Sequence, residues 1–490
     1  MRDLFVNRGH RIKYSNRYLL INYYATITLS FFMLFWILFY LREILAFDVD
    51  AVNLRIIFAF IRTQFFTIRA GVALVLGTII SFSLFYFRPK AHRMLKHRQL
   101  LARLIINNNW YDSEVVENKF GMKTKQITYF PKVWYKVKDS RIKITIGLDM
   151  GTYQDQLLEL EAKLETGLYS ETIATELREG FYEYTFIFDM LGARIGIDDV
   201  KIENGSLKLM EVVDWEFNSL PHMLIVGGTG SGKTYFIMTL IEALMQSGAK
   251  VYVLDPKNLD LSNLAYVMPD VYSKSDEISR CINDFYDAMM ERSEEMKKMP
   301  NYKMGMDYAD LELEPHFLIF DEYVAYMDMA GREAFRENGV MDKMKKISML
   351  GRQAGFFIIL ACQRADAKYM ADGIRDQFHF RVALGRNSDI GYGMIFGETK
   401  KRFFQKRVKG RGYVDTGTSV INEFYSPLVP RRYDFLSEIG KVAKEQGLIP
   451  QIPLVELDNE DATESIIVDD EEMADSIVIE KENDMDGFVI

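Results

Sequence analysis

The stretch LIVGGTGSGKTYF, Leu224–Phe236, decides the fold. Met223–Val226 is a short apolar run of strand type. Gly227 follows, then four residues, then Gly232, Lys233 and Thr234. Phe236, Ile237, Leu240, Ile241 and Leu244 recur on one helical face, with Gly248 near the helix end. Strand, glycine-rich loop and helix in this order form a phosphate-binding unit. Its glycines let backbone N–H groups turn inward around phosphate oxygens, and the helix N-terminus adds positive potential. Gly227, Gly228, Thr229, Gly230, Ser231 and Gly232 are expected to form this cradle for ATP. Lys233 reaches the β- and γ-phosphates, and the Thr234 hydroxyl is expected to ligate Mg2+.

Such a loop needs a partner strand ending in an acid, and HFLIFDEY supplies it. Phe317–Phe320 reads as a buried strand with Asp321 at its end, 88 positions beyond Lys233. Asp321 is expected to hold Mg2+, and Glu322 to orient or deprotonate the attacking water. VYVLDPK (Val251–Lys257), FFIILACQR (Phe356–Arg364) and FRVAL (Phe380–Leu384) read as further strands of the sheet. Ligands of open α/β sheets bind at the carboxyl ends of strands. Gln363 lies just past one such end, either as a polar sensor of the γ-phosphate or water or as a plain loop amide.

The 490 residues exceed one core and predict two or three domains. Cys281 and Cys362 are too few for a disulfide framework and point to a reducing compartment. Six scattered histidines give no pair at ligand spacing, so no structural metal is expected. The net charge of −9 is concentrated at the end: Gln451–Ile490 has 14 acids against one lysine. The rest is mildly basic, which is compatible with a polyanion without requiring one.

Tyr18–Leu41 holds 24 residues without a charge and Ala70–Phe87 holds 18. About 20 apolar residues span a bilayer core. The first run is too long for a signal peptide; the second could also be a buried core helix. Five Lys or Arg precede the first run and six closely follow the second, which places both ends in the cytoplasm of a multi-pass membrane protein. Arg55, Arg62 and Arg69 recur every seven residues, as an amphipathic surface helix or an extension of the second span.

The expected layout is a basic N-terminus (1–17), spans at 18–41 and 70–87 around an extracellular loop (42–69), a cytoplasmic α+β adaptor (88–213), a nucleotide-binding α/β domain (214–440) and an acidic, disordered tail (441–490). In the adaptor QITYFPKVWYKV, RIKITIGLDM and YEYTFIFDM read as strands. YQDQLLELEAKLETGL reads as an amphipathic helix. Aromatics beside lysines in YFPKVWYKVK are expected to pack rather than to touch nucleic acid.

PHMLIVGGTGSGKT, VLDPK, FLIFDEY, GRQAGFFIILACQR and IRDQFHFRVALG resemble, in that order, the motifs of the FtsK/SpoIIIE DNA-translocase ATPases. ITYFP, YQDQLLELE, RSEEMK, ACQRADAKYM and KGRGYVDTGTSVI resemble the FtsK-like coupling proteins of Gram-positive conjugative elements. The resemblance implies a RecA-like P-loop motor, assembled as a homo-hexamer around single- or double-stranded DNA without sequence preference. It implies a relaxase and membrane channel proteins as partners. Lys233, Thr234, Asp321, Glu322 and Gln363 match the family's site. Arg352 in GRQAG matches the arginine inserted into the neighbouring subunit's site, although spacing alone reads it as a surface residue at a helix end. Chromosome segregation and protein secretion are the competing uses of such a motor.

The richest basic stretch, TKKRFFQKRVKGRGYV, carries Lys400, Lys401, Arg402, Lys406, Arg407, Lys409 and Arg411. It reads equally as a DNA contact with stacking Phe403 and Phe404 or as a helix with a solvated basic face.

Overall fold

The computed structural model describes residues 8–41, 68–117, 123–138, 141–364, 375–399, 401–404, 406–418 and 420–452. The Arg55 and Arg62 pattern and the acidic tail beyond residue 452 lie outside these.

Strand β1 (His10–Arg11) precedes helices α1 (Leu19–Phe39) and α2 (Ile68–Phe87). The two helices pack along Ala70, Ala73, Gly77 and Ser81 of α2, all buried. Small residues let backbones approach: a Cβ at Gly77 would sit 2.9 Å from the Thr28 carbonyl oxygen. The outward faces expose Ile21, Leu29, Leu38, Val75, Phe82 and Tyr86. Both helices are long and apolar enough to cross a membrane.

Helix α3 (Pro89–Asn107) starts at a proline in its first turn and buries Leu101, Ala102 and Ile105 in a second core. A two-stranded ribbon, β2 (Asp112–Glu117) with β3 (Lys123–Tyr129), follows. Strands β4 (Val133–Lys138), β5 (Arg141–Gly147), β6 (Glu171–Arg178) and β7 (Phe181–Ile187) complete an antiparallel sheet ordered β1-β4-β5-β7-β6. His10 thus pairs with Tyr135 across the whole hairpin, and Ile12 enters the same core. Tyr135 is buried there, so at least one strand aromatic packs as expected. The single helix expected over YQDQLLELEAKLETGL is two, α4 (Gln154–Leu158) and α5 (Glu161–Leu168). The break lets Leu157, Leu160, Leu164 and Leu168 all reach the core.

Three short strands, β8 (Ile202–Glu203), β9 (Ser206–Met210) and β10 (Val213–Glu216), form a small sheet. Met190–Phe217 packs with the C-terminal core, although the adaptor was expected to run to residue 213. Bonds to the chain after Tyr425 explain this: Leu428 N–H donates to the Ile195 carbonyl at 2.8 Å, Ile197 N–H to the Leu428 carbonyl at 3.1 Å, and Arg194 Nε to the Ser426 carbonyl at 2.7 Å.

The large sheet comprises β11 (Met223–Gly227), β12 (Lys250–Leu254), β13 (Val271–Tyr272), β14 (His316–Phe320), β15 (Phe356–Cys362), β16 (Phe380–Leu384), β17 (Arg411–Thr416) and β18 (Ile421–Tyr425). Its order is β13-β12-β14-β15-β11-β16-β17-β18. The first six are parallel and the last two antiparallel. The parallel strands are near-continuous apolar runs because helices cover both faces. Helix α6 (Lys233–Gln246) buries Phe236, Ile237, Leu240, Ile241 and Leu244, and Gly248 follows it at a φ of 83°. Helices α7 (Ser275–Met296), α8 (Tyr323–Ala330), α9 (Val340–Ala354), α10 (Asp389–Phe396) and α11 (Phe435–Glu445) complete the unit. Residues 441–452, expected to belong to the tail, are instead packed: α11 runs to Glu445, and Ile452 N–H donates to the Ala265 carbonyl at 2.9 Å.

Candidate nucleotide site

The site lies at the carboxyl edge of the parallel strands. Strand β11 is fully buried between β15 and β16 and releases the chain into the loop Gly228–Gly232. Gly230 and Gly232 have φ of 76° and 92°, which other residues adopt only at a steric cost. A Cβ at Gly227 would sit 2.5 Å from Ser231 Oγ, and one at Gly232 would sit 3.4 Å from the Gly410 Cα. The loop closes on itself through a Ser231 N–H to Gly228 carbonyl bond of 3.1 Å, and Phe236 N–H donates to Gly232 at 3.0 Å to start α6. Ser231 Oγ is buried without a hydrogen-bond partner among the described residues. A polar atom left open in a glycine cradle suits an anionic ligand.

Lys233, buried, opens α6. Its ammonium donates to Asp321 Oδ1 at 2.8 Å and to Glu322 Oε1. Burial by itself would lower the lysine pKa, but the Asp321 charge and the bonds to both acids outweigh it and hold the pKa above its usual value. For Glu322 burial pushes upward, and the bonds and charges of Lys233 and Lys257 outweigh it to hold the carboxyl below its usual value. Glu322 Oε2 accepts from Lys257 Nζ at 3.0 Å. Glu322 has a left-handed backbone, φ 52°, and immediately precedes α8 without capping it through its side chain. Its own N–H donates to Asp321 Oδ1 at 2.9 Å.

Register places the other candidates. Val226 pairs with Cys362, so Gln363, exposed, falls level with Gly227 at the mouth of the site. Thr234 is half-buried beside Lys233. Arg352, exposed, lies in the last turn of α9, just before β15 begins. It is therefore at the amino edge of the sheet, roughly 20 Å along β15 from the phosphate loop at about 3.3 Å per residue. The structure brings Lys233, Asp321 and Glu322 together and separates Arg352 from them.

The described residues of the basic stretch are not helical. Lys401 pairs with Glu165 and Glu171, Lys406 and Arg411 pair with Glu423, and Phe403 stacks on Tyr392 at 3.9 Å. Those three cations serve internal pairs; Lys400 lies outside the described residues. Sequence reasoning assigned no role to Lys257 or Asp255, although both stand in the VLDPK motif at a strand end.

The fold and the lysine–carboxylate cluster define a P-loop ATPase. The family model for "FtsK/SpoIIIE family" matches residues 199–308. The Ftsk domain-containing protein YdcQ of Bacillus subtilis (strain 168) is 43% identical over 427 residues, covering 85% of this chain and 87% of that protein. The DNA translocase FtsK of Lactococcus lactis subsp. cremoris (strain MG1363) is 26% identical over 193 residues, 36% of this chain and 25% of the relative. Among solved structures, the pCW3 conjugation coupling protein TcpA, in monomer form with ATPγS, superposes with a TM-score of 0.45 at 18% identity, covering 72% of this chain and 99% of that one. The chain belongs to the FtsK/SpoIIIE family: it is a P-loop ATPase of the DNA-translocase type.

Proposed function

We propose that the chain is a membrane-anchored, ATP-driven DNA pump that acts as a coupling protein in conjugative transfer. It would deliver DNA, with or without a bound relaxase, to channel proteins in the membrane. The observation that carries the reading is the ammonium of Lys233 held between Asp321 and Glu322 beneath a glycine cradle. That set binds a triphosphate and acts on one water beside it.

Each residue then has a task. The loop N–H groups and Lys233 hold the β- and γ-phosphates. Lys233 leaves the acids for the phosphates as ATP enters. The Thr234 hydroxyl and the Asp321 carboxylate are hard oxygen donors suited to Mg2+. When bound, that ion neutralises phosphate charge. Glu322 orients the attacking water and takes its proton, and Gln363 contacts the γ-phosphate or the water. Arg352 cannot reach its own site from the far sheet edge, so it serves the site of a neighbouring subunit. A homo-hexameric ring satisfies this requirement for every subunit.

Two observations support the anchor. The outward faces of α1 and α2 expose many apolar side chains along helices long enough to span a bilayer core. Strand β1 pairs with β4, which supports both flanks of the hairpin lying on one side of the bilayer; their basic charge makes that side the cytoplasm. The series of motifs shared with coupling proteins supports conjugation over segregation or secretion.

ATP hydrolysis by the purified chain, with and without DNA, tests the motor. Stimulation by DNA that disappears in Lys233→Ala is expected; turnover indifferent to both overturns it. Deleting the gene and scoring transfer separately from excision tests the setting. Loss of transfer with normal excision is expected, and normal transfer refutes the coupling role.

A further inference from the structure

Glu322 has two carboxylate oxygens, and each meets a different lysine. Oε1 accepts from Lys233 and Oε2 from Lys257 at 3.0 Å. Lys233 belongs to the phosphate loop, and a bound triphosphate draws its ammonium away by charge alone. Lys257 lies in the turn that follows another strand, β12, and has no place in that loop.

Its position is built rather than accidental. Leu254 pairs with Phe320, so Asp255 stands level with Asp321 at the same sheet edge. The Asp255 carboxylate, buried, collects the N–H groups of Lys257 at 3.2 Å, Leu259 at 2.7 Å and Ser262 at 3.2 Å. These bonds fold the chain back through Asn258 at a φ of 52°. The turn delivers Lys257 towards Glu322, 65 residues away in sequence.

The Lys257 side chain is 35% exposed and that of Glu322 only 9%, so the lysine end stays open to water while the carboxylate is enclosed. Besides compensating the buried charge, the pair orients the carboxylate. Glu322 sits on a left-handed backbone at the start of α8, and a carboxylate that must face one water needs one fixed rotamer.

We propose that Lys257 is a positioning residue for hydrolysis: it holds Glu322 Oε2 so that Oε1 keeps one direction once Lys233 has turned to the phosphates. The inference rests on Glu322 acting on the attacking water. Lys257 touches no reacting atom and works through the glutamate.

The test uses the full-length chain in detergent micelles, with steady-state ATP hydrolysis and ATPγS binding. The variants are Lys257→Met, Lys257→Arg, Glu322→Gln and the Lys257→Met/Glu322→Gln double. Lys257→Met should lower kcat about 10- to 100-fold. KM for ATP and ATPγS affinity should stay within about twofold, because ground-state binding is untouched. Lys257→Arg should recover most of the rate, and the double should match Glu322→Gln alone. If Lys257→Met does not fold, Lys257→Gln reads the same quantities. Wild-type kcat in the Lys257 variants overturns the inference. So does a loss confined to ATP affinity, which makes Lys257 a phosphate ligand, and so does a double mutant that loses both factors independently. Glu322→Gln with wild-type turnover removes the reading of Glu322 and this inference with it. An inactive Glu322→Gln beside an active Lys257→Met removes the inference alone.

Discussion

Lys401 reaches from the irregular segment before β17 to Glu165 of the α+β module, its ammonium 2.6 Å from the carboxylate. Glu171 accepts a second bond at 3.0 Å, and the lysine side chain is 5% exposed. The same segment continues to Gly410, which abuts Gly232 of the phosphate loop. One buried cation therefore ties the module to the chain that flanks the nucleotide site.

Removing that cation leaves the buried Glu165 carboxylate and the half-buried Glu171 carboxylate without their shared partner. Breaking a buried pair from one side costs about 3–5 kcal/mol. Lys401→Met should lower the melting temperature and expose residues 141–187 to protease while α6 stays protected. An unchanged digestion pattern would mean that the module is held by other contacts.

Arg352→Ala should cut ATP turnover by about 10³ while nucleotide affinity stays near wild type, as for arginines acting on a neighbour's phosphoryl group. Mixing it with Lys233→Ala subunits should restore part of the rate, because each supplies what the other lacks. Mixtures that stay inactive at every ratio speak against the role in trans.

Glu322 titrates below its ordinary value of 4.5 in the folded chain. A depressed carboxyl contributes stability above the unfolded pKa and loses it as pH falls through the folded one. Melting temperature measured from pH 6 downward should therefore fall more steeply below about 4.5 in wild type than in Glu322→Gln. Parallel curves would show that the ion pairs with Lys233 and Lys257 add nothing to the fold.

Gly77→Leu would drive a side chain into the Thr28 carbonyl and the Phe32 amide. The α1–α2 pair should splay. A disulfide between cysteines placed at Tyr24 and Ser81, where Ser81 Oγ lies 3.4 Å from the Tyr24 carbonyl, should form readily in the parent and poorly with Gly77→Leu. Equal cross-linking in both would show that the helices meet along another face.

The phosphate loop and the acid pair were legible from residues alone. Both are local patterns: an apolar strand, a glycine turn, a helical face, an acid at a strand end. The same reading misjudged the ends of elements. It joined α4 to α5 and started the tail at residue 441, because periodicity marks where a face continues and says little about where packing stops it.

What the sequence determined is thus the chemistry at each strand end. What only the tertiary structure decided is which strand ends meet. Lys257 shares Glu322 because β12 lies beside β14, and Lys401 faces Glu165 because the module packs against the segment before β17. His10 joins a strand beyond two long helices for the same reason. Strand order and domain contact pair residues far apart in the chain, and no spacing along the chain encodes those pairings.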